Sequence, residues 1–482
     1  MIDFRPIGYV VGILVAILGF AMIVPMLVDI AEGRGHSGVF AQSAVITVMF
    51  GILLSMACSN GERDGLTIQQ TFLLTTGVWV VLPIFGALPF MLGATQLNFV
   101  NAFFESVSGL TTTGSTVLSG LDTMPKGLLL WRGLLQWLGG VGIIVVAMVF
   151  LPQLRVGGMQ VFRAEGFDTM GKILPQATAI SFQISIIYLG VTGACSLAYL
   201  GVGMNTFDAT VHALTTVSTG GFSNYDASFG TFSGGAEYIA SFFMIMAALP
   251  FVRYVQMVNG TTFAVFYDSQ VRAFLVLVFA IIAVSTLVLM TQSAFDFEPA
   301  FRQALFNIIS IMSGTGYASA DYMTWGGFLI GTFFFIGLIG GCAGSTTCSV
   351  KIFRYQIMVE SIRVQLKKIL SPHGVFIPRF DGKAIDDSVM NAVMAFFIMF
   401  FVSLGVLAVL LGLTGLDFVT AVSGAASAIA NIGPGLGDEI GPSGNFAGLN
   451  ETAKWLLIAG MLLGRLEILA VFTLFTVRFW RA

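Results

Sequence analysis

Four short segments of the sequence are rich in glycine, serine and threonine. Their backbone carbonyl and hydroxyl oxygens are the groups that replace the water shell of an alkali cation. Glycine permits the backbone angles that turn several carbonyls toward one axis. Any one of these glycines is explained equally well by helix packing or a turn, but four in matching places predict a cation site made by four loops. The candidate ligands are Thr112, Thr113 and Gly114; Ser218, Thr219 and Gly220; Thr315 and Gly316; and Asn431, Ile432 and Gly433.

A semi-polar stretch precedes each of these loops and predicts a short helix. The stretches open at Asn101, Asp208, Glu298 and Asp417, where Asn, Asp or Glu-Pro favours a helix start. Each stretch is too short to span a bilayer, so we interpret it as a re-entrant half-helix followed by extended backbone. The negative end of each helix dipole then faces a cation near the membrane centre.

The composition requires that lipid surrounds most of the chain. Of 482 residues, 56% are hydrophobic and 10% are charged, and the mean hydropathy is +0.91. Soluble domains carry about 25% charged residues. The length allows about ten to twelve spanning helices. The long apolar runs cover 6–28, 39–58, 70–93, 127–151, 180–203, 236–259, 273–291, 324–341, 389–413 and 453–477.

Together these patterns predict an all-α polytopic membrane protein. Four pseudo-symmetric repeats of helix, pore loop and helix surround a central pore, and two transmembrane helices precede them. The expected units are the N-terminal helix pair 1–66, repeat 1 at 67–153, repeat 2 at 154–260, repeat 3 at 261–350, a cytoplasmic linker at 351–387 and repeat 4 at 388–482.

The charge distribution predicts the orientation. Most of the 22 basic residues fall on the side of the termini, which the positive-inside rule makes cytoplasmic: Arg5, Arg63, Arg155, Arg163, Lys172, Arg253, Arg272, Lys351, Arg354, Arg363, Lys367, Lys368, Arg379, Lys383, Arg478 and Arg481. The four loops then face outward, among acidic residues that include Asp29, Glu105, Asp208, Asp226 and Glu237. We expect an acidic mouth that attracts cations, although exposed loops of any membrane protein are polar.

The loops, together with the segment from Trp131 to Gly142 after the first of them, resemble the Trk/Ktr/HKT superfamily of potassium transporters along essentially the whole chain. The extra N-terminal helix pair is similar to the TrkH/TrkG-type branch. The resemblance implies uptake of K⁺ across a bacterial inner membrane, with no covalent cofactor. Plant relatives that favour sodium have serine at the position of Gly114, so glycine here favours potassium. The fourth loop lacks the Thr and Tyr of the potassium-channel TVGYG.

Residues 340–349 interrupt the apolar second helix of repeat 3 with small and hydroxylated residues. Irregular backbone at that depth must line a cavity, and the resemblance implies a gate made of Gly340, Gly341, Gly344, Ser345 and Thr346. Close helix packing is the alternative. The resemblance also implies that Arg465, inside the last apolar run, faces the pore as part of the gate. A buried ion pair is the alternative for Arg465, and Glu467 is too close along a helix to be its partner.

The resemblance further implies a homodimer and a cytoplasmic nucleotide-binding regulatory subunit of the TrkA type. The basic residues of 351–383 could dock that subunit or contact anionic lipid headgroups, and both interpretations stay open. No nucleic-acid partner is expected.

Two functions remain in competition. The first is a gated, channel-like pore for potassium. The second is a secondary transporter that couples cation or solute uptake to Na⁺ or H⁺, but such proteins usually have inverted repeats, whereas all four loops here enter from one face. Catalytic residue sets are missing, so an enzyme is not expected. The sequence leaves proton symport against passive conduction undecided.

Overall fold

The computed structural model describes residues 2–33, 35–61, 66–149, 177–260, 263–292 and 295–481. Four of the basic residues used to orient the chain therefore lie outside the described residues: Arg63, Arg155, Arg163 and Lys172. The predicted boundary between repeats 1 and 2, at 153 and 154, lies outside them as well.

The N-terminal region consists of α1 (Arg5–Ala21), α2 (Ile23–Glu32) and α3 (Ser37–Ala57). Helices α1 and α3 pack at very short range because glycines face backbone at their crossing. A Cβ atom added to Gly12 would lie 2.7 Å from the carbonyl oxygen of Gly51, and one on Gly51 would meet the backbone of Ala16 at 2.5 Å. Small residues at such crossings let helix backbones approach within a membrane.

The rest of the described residues form mainly helices, with one small hairpin. The first part contains α4 (Ile68–Gly86), α5 (Leu88–Leu92), α6 (Phe99–Leu110), α7 (Lys126–Val149), α8 (Ala177–Gly201), α9 (Thr206–Val217), α10 (Gly235–Ala248), α11 (Phe251–Val258), α12 (Ala264–Tyr267) and α13 (Ser269–Gln292). The second part contains α14 (Phe297–Met312), α15 (Gly327–Gly337), α16 (Ile352–Leu370), β1 (Arg379–Phe380), β2 (Lys383–Ala384), α17 (Asp387–Leu413), α18 (Phe418–Ala430), α19 (Glu451–Arg465), α20 (Ile468–Leu474) and α21 (Val477–Arg481).

Three of the ten apolar runs do not form straight spans. Within the described ranges, 7 helices are long and apolar enough to cross a membrane, or 9 if each bent pair counts as one span. The pair α10 and α11 bends by 89°, where Pro250 lacks an N–H and holds Leu249 in an extended conformation. The pair α19 and α20 bends by 109°, and Glu467 adopts a positive φ of 61° between them. Helix α15 has 11 residues.

These breaks correct one expectation about Arg465. The prediction that Arg465 lies inside a continuous last helix was wrong, because Arg465 is the final residue of α19 and the chain turns sharply after it. Helix α7, by contrast, continues without a break through its 24 residues.

The short helices α6, α9, α14 and α18 have 12, 12, 16 and 13 residues. At about 1.5 Å per residue they are shorter than the roughly 30 Å of a bilayer core. Three of them begin earlier than the sequence suggested. Their N-caps are Asn98, Asn205 and Asp296, while Asp417 caps α18 as expected. The missed signal was an Asn or Asp two to three residues ahead of the predicted start.

Asp3 and Phe479, near the two ends of the described chain, lie at the same end of the structure. The side chain of Gln69, at the start of α4, donates to the carbonyl oxygen of Phe479 at 2.6 Å. Its neighbour Gln70 donates to the carbonyl oxygen of Asp3 at 2.9 Å. The first and last helices therefore meet beside the beginning of α4.

The basic stretch 351–383 divides into buried and exposed members. Arg354 is 1% exposed and its Nη2 lies 2.6 Å from a carboxylate oxygen of Glu467. Lys351 is partly buried and donates to the carbonyl oxygen of Thr347. Neither forms part of an open docking surface, which corrects the sequence interpretation. The exposed basic members are Arg363, Lys367, Lys368, Arg379 and Lys383.

Candidate functional site

The residues after the four short helices share one backbone conformation. A residue with left-handed φ lies one or two positions after the end of each helix, and a glycine with left-handed φ follows two positions later. The φ values are 53° and 87° at Thr112 and Gly114, 51° and 75° at Thr219 and Gly221, 72° and 78° at Gly314 and Gly316, and 52° and 105° at Asn431 and Gly433. We call 112–114, 219–221, 314–316 and 431–433 the first to fourth loops.

This equivalence corrects the sequence alignment of the second loop by one residue. The amide of Gly220 donates to the carbonyl of Thr215, five residues back, as the amide of Thr113 does to Ser108. Gly220 therefore corresponds to Thr113, and Gly221 corresponds to Gly114. Ser218 caps the end of α9 and precedes the loop. Two consecutive glycines allowed either register in the sequence, and only backbone geometry separates them.

The four loops close into a ring in chain order, which we call the filter ring. A Cβ atom added to Gly114 would collide with the carbonyl oxygen of Gly220 in the second loop. In the same way, a Cβ atom on Gly221 would collide with the carbonyl oxygen of Thr315, and one on Gly316 would collide with that of Ile432. The ring closes where a Cβ on Gly433 would lie 2.9 Å from the carbonyl oxygen of Thr113. A side chain has no room at any of these four glycines, so all predicted loop residues except Ser218 lie in one ring.

Side chains tie the first and fourth loops together. The hydroxyls of Ser115 and Ser427 both donate to the carbonyl oxygen of Gly433, each at 2.8 Å. The amide of Asn431 donates to Thr113 Oγ1 at 2.9 Å and to the carbonyl oxygen of Met461 at 2.9 Å. Asn431 therefore fixes the fourth loop to both its neighbour and α19.

A buried ion pair holds the first two loops on their outer side. Arg132 on α7 and Glu105 on α6 are 1% and 0% exposed, and Nε lies 2.8 Å from Oε1. Glu105 also accepts from the amide of Val117 at 3.0 Å, while Arg132 donates to the carbonyl oxygen of Ser223 at 2.7 Å. Hydrogen bonds from all sides satisfy these charges, as burial requires.

Burial removes four acidic residues from the expected acidic mouth, while other predicted members, including Asp226, are exposed. Asp29, Glu105, Asp208 and Glu237 are between 0% and 3% exposed. They accept hydrogen bonds within the protein, so their charges are not free at the outer surface. Asp226 does line a cavity of about 220 Å³ directly outside the filter ring, where it accepts from the amides of Gly120 and Leu121.

Residues 338–351, which we call the inner segment, connect α15 to α16 without helical structure. The predicted gate residues Gly340, Gly341, Gly344, Ser345 and Thr346 all lie in it and are buried. The break between α10 and α11 supplies its partners. The amide of Cys342 donates to the carbonyl of Ala248 at 3.0 Å, and the amide of Phe251 donates to that of Gly344 at 3.0 Å. A hydrogen bond from the amide of Gly340 to the carbonyl oxygen of Val350 at 2.8 Å joins the two ends of the inner segment.

Arg465 reaches the inner segment from α19. It is 2% exposed, and its guanidinium donates to the sulfur of Cys348 and, at 2.9 Å, to the carbonyl oxygen of Gly139. Its Cζ lies 5.3 Å from the ring centre of Trp79. Among the described residues no carboxylate lies within ion-pair distance of Arg465, and Glu467 pairs with Arg354 instead.

Cys348 is one of the site residues that the sequence did not indicate. Its sulfur contacts Arg465 and lies 3.9 Å from Thr112 Oγ1 in the first loop. A Cβ on Gly314 would lie 3.8 Å from its amide nitrogen. Cys348 thus joins the filter ring, the inner segment and the buried cation. A cysteine in an apolar chain usually indicates ordinary packing, and only its place among small residues hinted at more.

The fold and this site define a multi-pass membrane protein in which four loops close into one ring. Residues 36–480 match the TrkH family model, whose description is cation transport protein, and the chain belongs to that family. It is therefore a transporter and not an enzyme.

Similar proteins cover nearly the whole chain. The Trk system potassium uptake protein TrkI of Halomonas elongata is 44% identical over 99% of this chain and 97% of its own length. The Trk system potassium uptake protein TrkH of Escherichia coli K12 is 36% identical over 99% of both. The crystal structure of the potassium transporter TrkH from Vibrio parahaemolyticus is similar with a TM-score of 0.91 and 34% identity, covering 100% of both chains.

Proposed function

We propose that this protein takes up potassium across the membrane through the filter ring. The ring of equivalent carbonyls, closed in chain order by four glycines, is the observation that carries the proposal. The C-terminal ends of α6, α9, α14 and α18 precede the loops, and the negative ends of their dipoles favour a cation there. K⁺ is the transported ion, and the loop oxygens replace its water shell.

Below the ring, Arg465 and the inner segment form the barrier to ion flow. A fixed positive charge in a poorly screened place repels K⁺, and Cys348 holds the guanidinium against the segment. The part of the segment before Cys348 is held mainly by hydrogen bonds to the break between α10 and α11 and by one from the amide of Ala343 to Gln270 Oε1 at 3.0 Å. These bonds do not involve the four loops, so this part of the segment can move while the loops keep their positions.

Shortening the inner segment should raise potassium flux several-fold. Deleting residues 344–347 removes buried residues from the proposed ion path. The hydrogen bond between Gly340 and Val350 can still join the two ends of the shortened segment. The ratio of K⁺ to Na⁺ flux should stay the same, because the filter ring is untouched. Flux into liposomes that contain the purified variant is the measurement. Lower flux from a monodisperse variant would mean that the segment is packing material and not a barrier.

The proposed location is the bacterial inner membrane, with both termini cytoplasmic and the outer cavity facing outward. The termini lie together at one end. The exposed basic residues of 351–383 agree with a cytoplasmic side, where such residues are in excess. Labelling of single cysteines introduced beside Asp3 and Asp226 in intact cells tests the orientation. Only the cysteine beside Asp226 should react with a membrane-impermeant thiol reagent.

A homodimer and a cytoplasmic nucleotide-binding subunit are the proposed partners. Helix α16 exposes Arg363, Lys367 and Lys368 beside Leu366 and Leu370. Such a mixed basic and apolar surface suits an acidic protein partner or anionic lipid headgroups. Replacing the three basic residues with glutamine should weaken co-purification of the partner. Unchanged co-purification with weaker binding to anionic vesicles would favour lipid.

Passive conduction is favoured over symport, because a fixed ring and a local barrier require no alternation of the whole fold. Liposomes containing the purified protein test both. Potassium uptake driven by a K⁺ gradient alone, and insensitive to a collapsed proton gradient, is expected. Uptake that strictly requires Na⁺ or H⁺ would establish the transporter mechanism, and no potassium uptake under any gradient would overturn the proposed function.

A further inference from the structure

Gln136, on the unbroken helix α7, contacts the filter ring from behind. Its side chain is fully buried, and Nε2 donates to the carbonyl oxygen of Gly220 at 2.5 Å. Its Oε1 accepts from the amide of Phe222 at 3.0 Å. One side-chain amide therefore spans Gly221, the glycine that abuts the third loop.

This contact makes the second loop different from the other three loops of the ring. The carbonyls equivalent to that of Gly220 belong to Thr113, Thr315 and Ile432. Within the described part of the chain, no side-chain donor lies on any of those three. At this one position of the ring, among the described residues, the second loop alone has its carbonyl held by a neutral side-chain donor.

Helix α7 holds the second loop at further points. Arg132, one turn before Gln136, donates to the carbonyl oxygen of Ser223, and its guanidinium lies 4.1 Å from the ring centre of Phe222. Residues four apart share a helix face. The backbone from Gly220 to Ser223 is thus fixed to one face of one helix.

We propose that Gln136 is a positioning residue that sets cation selectivity. The inference rests on the proposed function. A carbonyl oxygen has two lone pairs, so the carbonyl of Gly220 can accept from Gln136 with one and face an ion with the other. The side-chain amide of Gln136 fixes the direction of that oxygen. Its hydrogen bond from Phe222 also fixes the position of the second loop along the axis of the ring. A ring whose oxygens keep their positions holds K⁺ at its own size and cannot close around the smaller Na⁺.

Two substitutions separate the halves of the contact. Gln136→Glu keeps the shape and the acceptor for Phe222, but places a carboxylate oxygen against the carbonyl of Gly220 in place of the donor. Gln136→Met removes both hydrogen bonds at similar size. One hydrogen bond of this kind corresponds to about a fivefold to tenfold change in an equilibrium. We expect the K⁺ to Na⁺ flux ratio of the full-length protein in liposomes to fall by that factor in each variant.

Gln70 supplies a matched control away from the ring. Its side chain also accepts from a backbone amide, that of Thr67 at 2.9 Å, and donates to a backbone carbonyl, that of Asp3 at 2.9 Å. Gln70→Glu and Gln70→Met should lower thermal stability and leave the flux ratio at its parent value. A structural defect alone would then change stability and not selectivity.

The outcomes distinguish a failure of the proposed function from a failure of the proposed role of Gln136. A parent protein that carries no K⁺ would defeat the proposed function. A parent that conducts, with Gln136 variants within about twofold of its flux ratio, would overturn the role of Gln136 while leaving the function intact. An equal fall in the Gln70 variants would overturn it too. If Gln136→Met does not fold, the nearly isosteric Gln136→Glu decides the question.

Discussion

Arg465→Ala should raise potassium flux more than tenfold, with little change in ion selectivity. At an effective dielectric constant of about 20, a unit charge about 8 Å from the ion path contributes roughly 2 kcal/mol to the barrier. A difference of that size corresponds to more than a tenfold change in rate. The four loops are unaltered, so the ratio of K⁺ to Na⁺ flux should be that of the parent. The measurement is flux in liposomes at matched protein density.

Arg465→Lys is the matched control for this prediction. Lysine keeps the positive charge but lacks the planar guanidinium that donates to both Cys348 and Gly139. Because the charge is kept, potassium flux should stay close to that of the parent. Because no described carboxylate pairs with Arg465, the alanine variant leaves no buried negative charge unpaired and should fold. A monodisperse alanine variant with unchanged flux would exclude Arg465 from the barrier.

Gly114→Ser should reduce the preference for potassium about tenfold or more. Gly114 has a φ of 87°, and a Cβ there would collide with the carbonyl oxygen of Gly220 in the neighbouring loop. A non-glycine residue in left-handed geometry costs about 1–2 kcal/mol, and the displaced carbonyl alters the ring as well. Competition between K⁺ and Na⁺ during uptake by cells that express the variant measures the effect.

Gly120→Ser is the control for backbone strain alone. Gly120 has a φ of 75°, but a Cβ there has no heavy atom within 4 Å. It lies outside the filter ring, so its substitution should leave the K⁺ to Na⁺ ratio unchanged. An unchanged ratio in Gly114→Ser as well would remove Gly114 from the selective part of the path.

The sequence predicted the loops because their chemistry is local. Glycine, serine and threonine after a short capped helix indicate a loop wherever they occur, and four occurrences indicate a ring. The register of Gly220 and Gly221 was not predictable, because adjacent glycines are equivalent until φ and neighbours are known. The bends after Ala248 and Arg465 were hidden for a related reason, since apolar residues fill a broken span as readily as a straight one.

Contacts between distant segments were the least predictable part of the site. Glu105 looked like an exposed acid until Arg132 was placed beside it, 27 residues later in the chain. The sulfur of Cys348 and the amide of Gln136 carry no sequence pattern that distinguishes them from packing residues. Their roles follow from where α7 and α19 cross the ring, which a single sequence does not specify.

Helix α7 has a thermodynamic consequence. Along one face it carries Arg132 beside Ser223, Gln136 at the ring and Gly139 at the guanidinium of Arg465. Coupling free energies between two sites are reciprocal. Any factor by which release of Arg465 changes the affinity of the ring for K⁺ must therefore equal the factor by which bound K⁺ favours that release. Potassium concentration is then itself a variable in the open fraction, and dissociation constants measured with Arg465 present and absent would give its size.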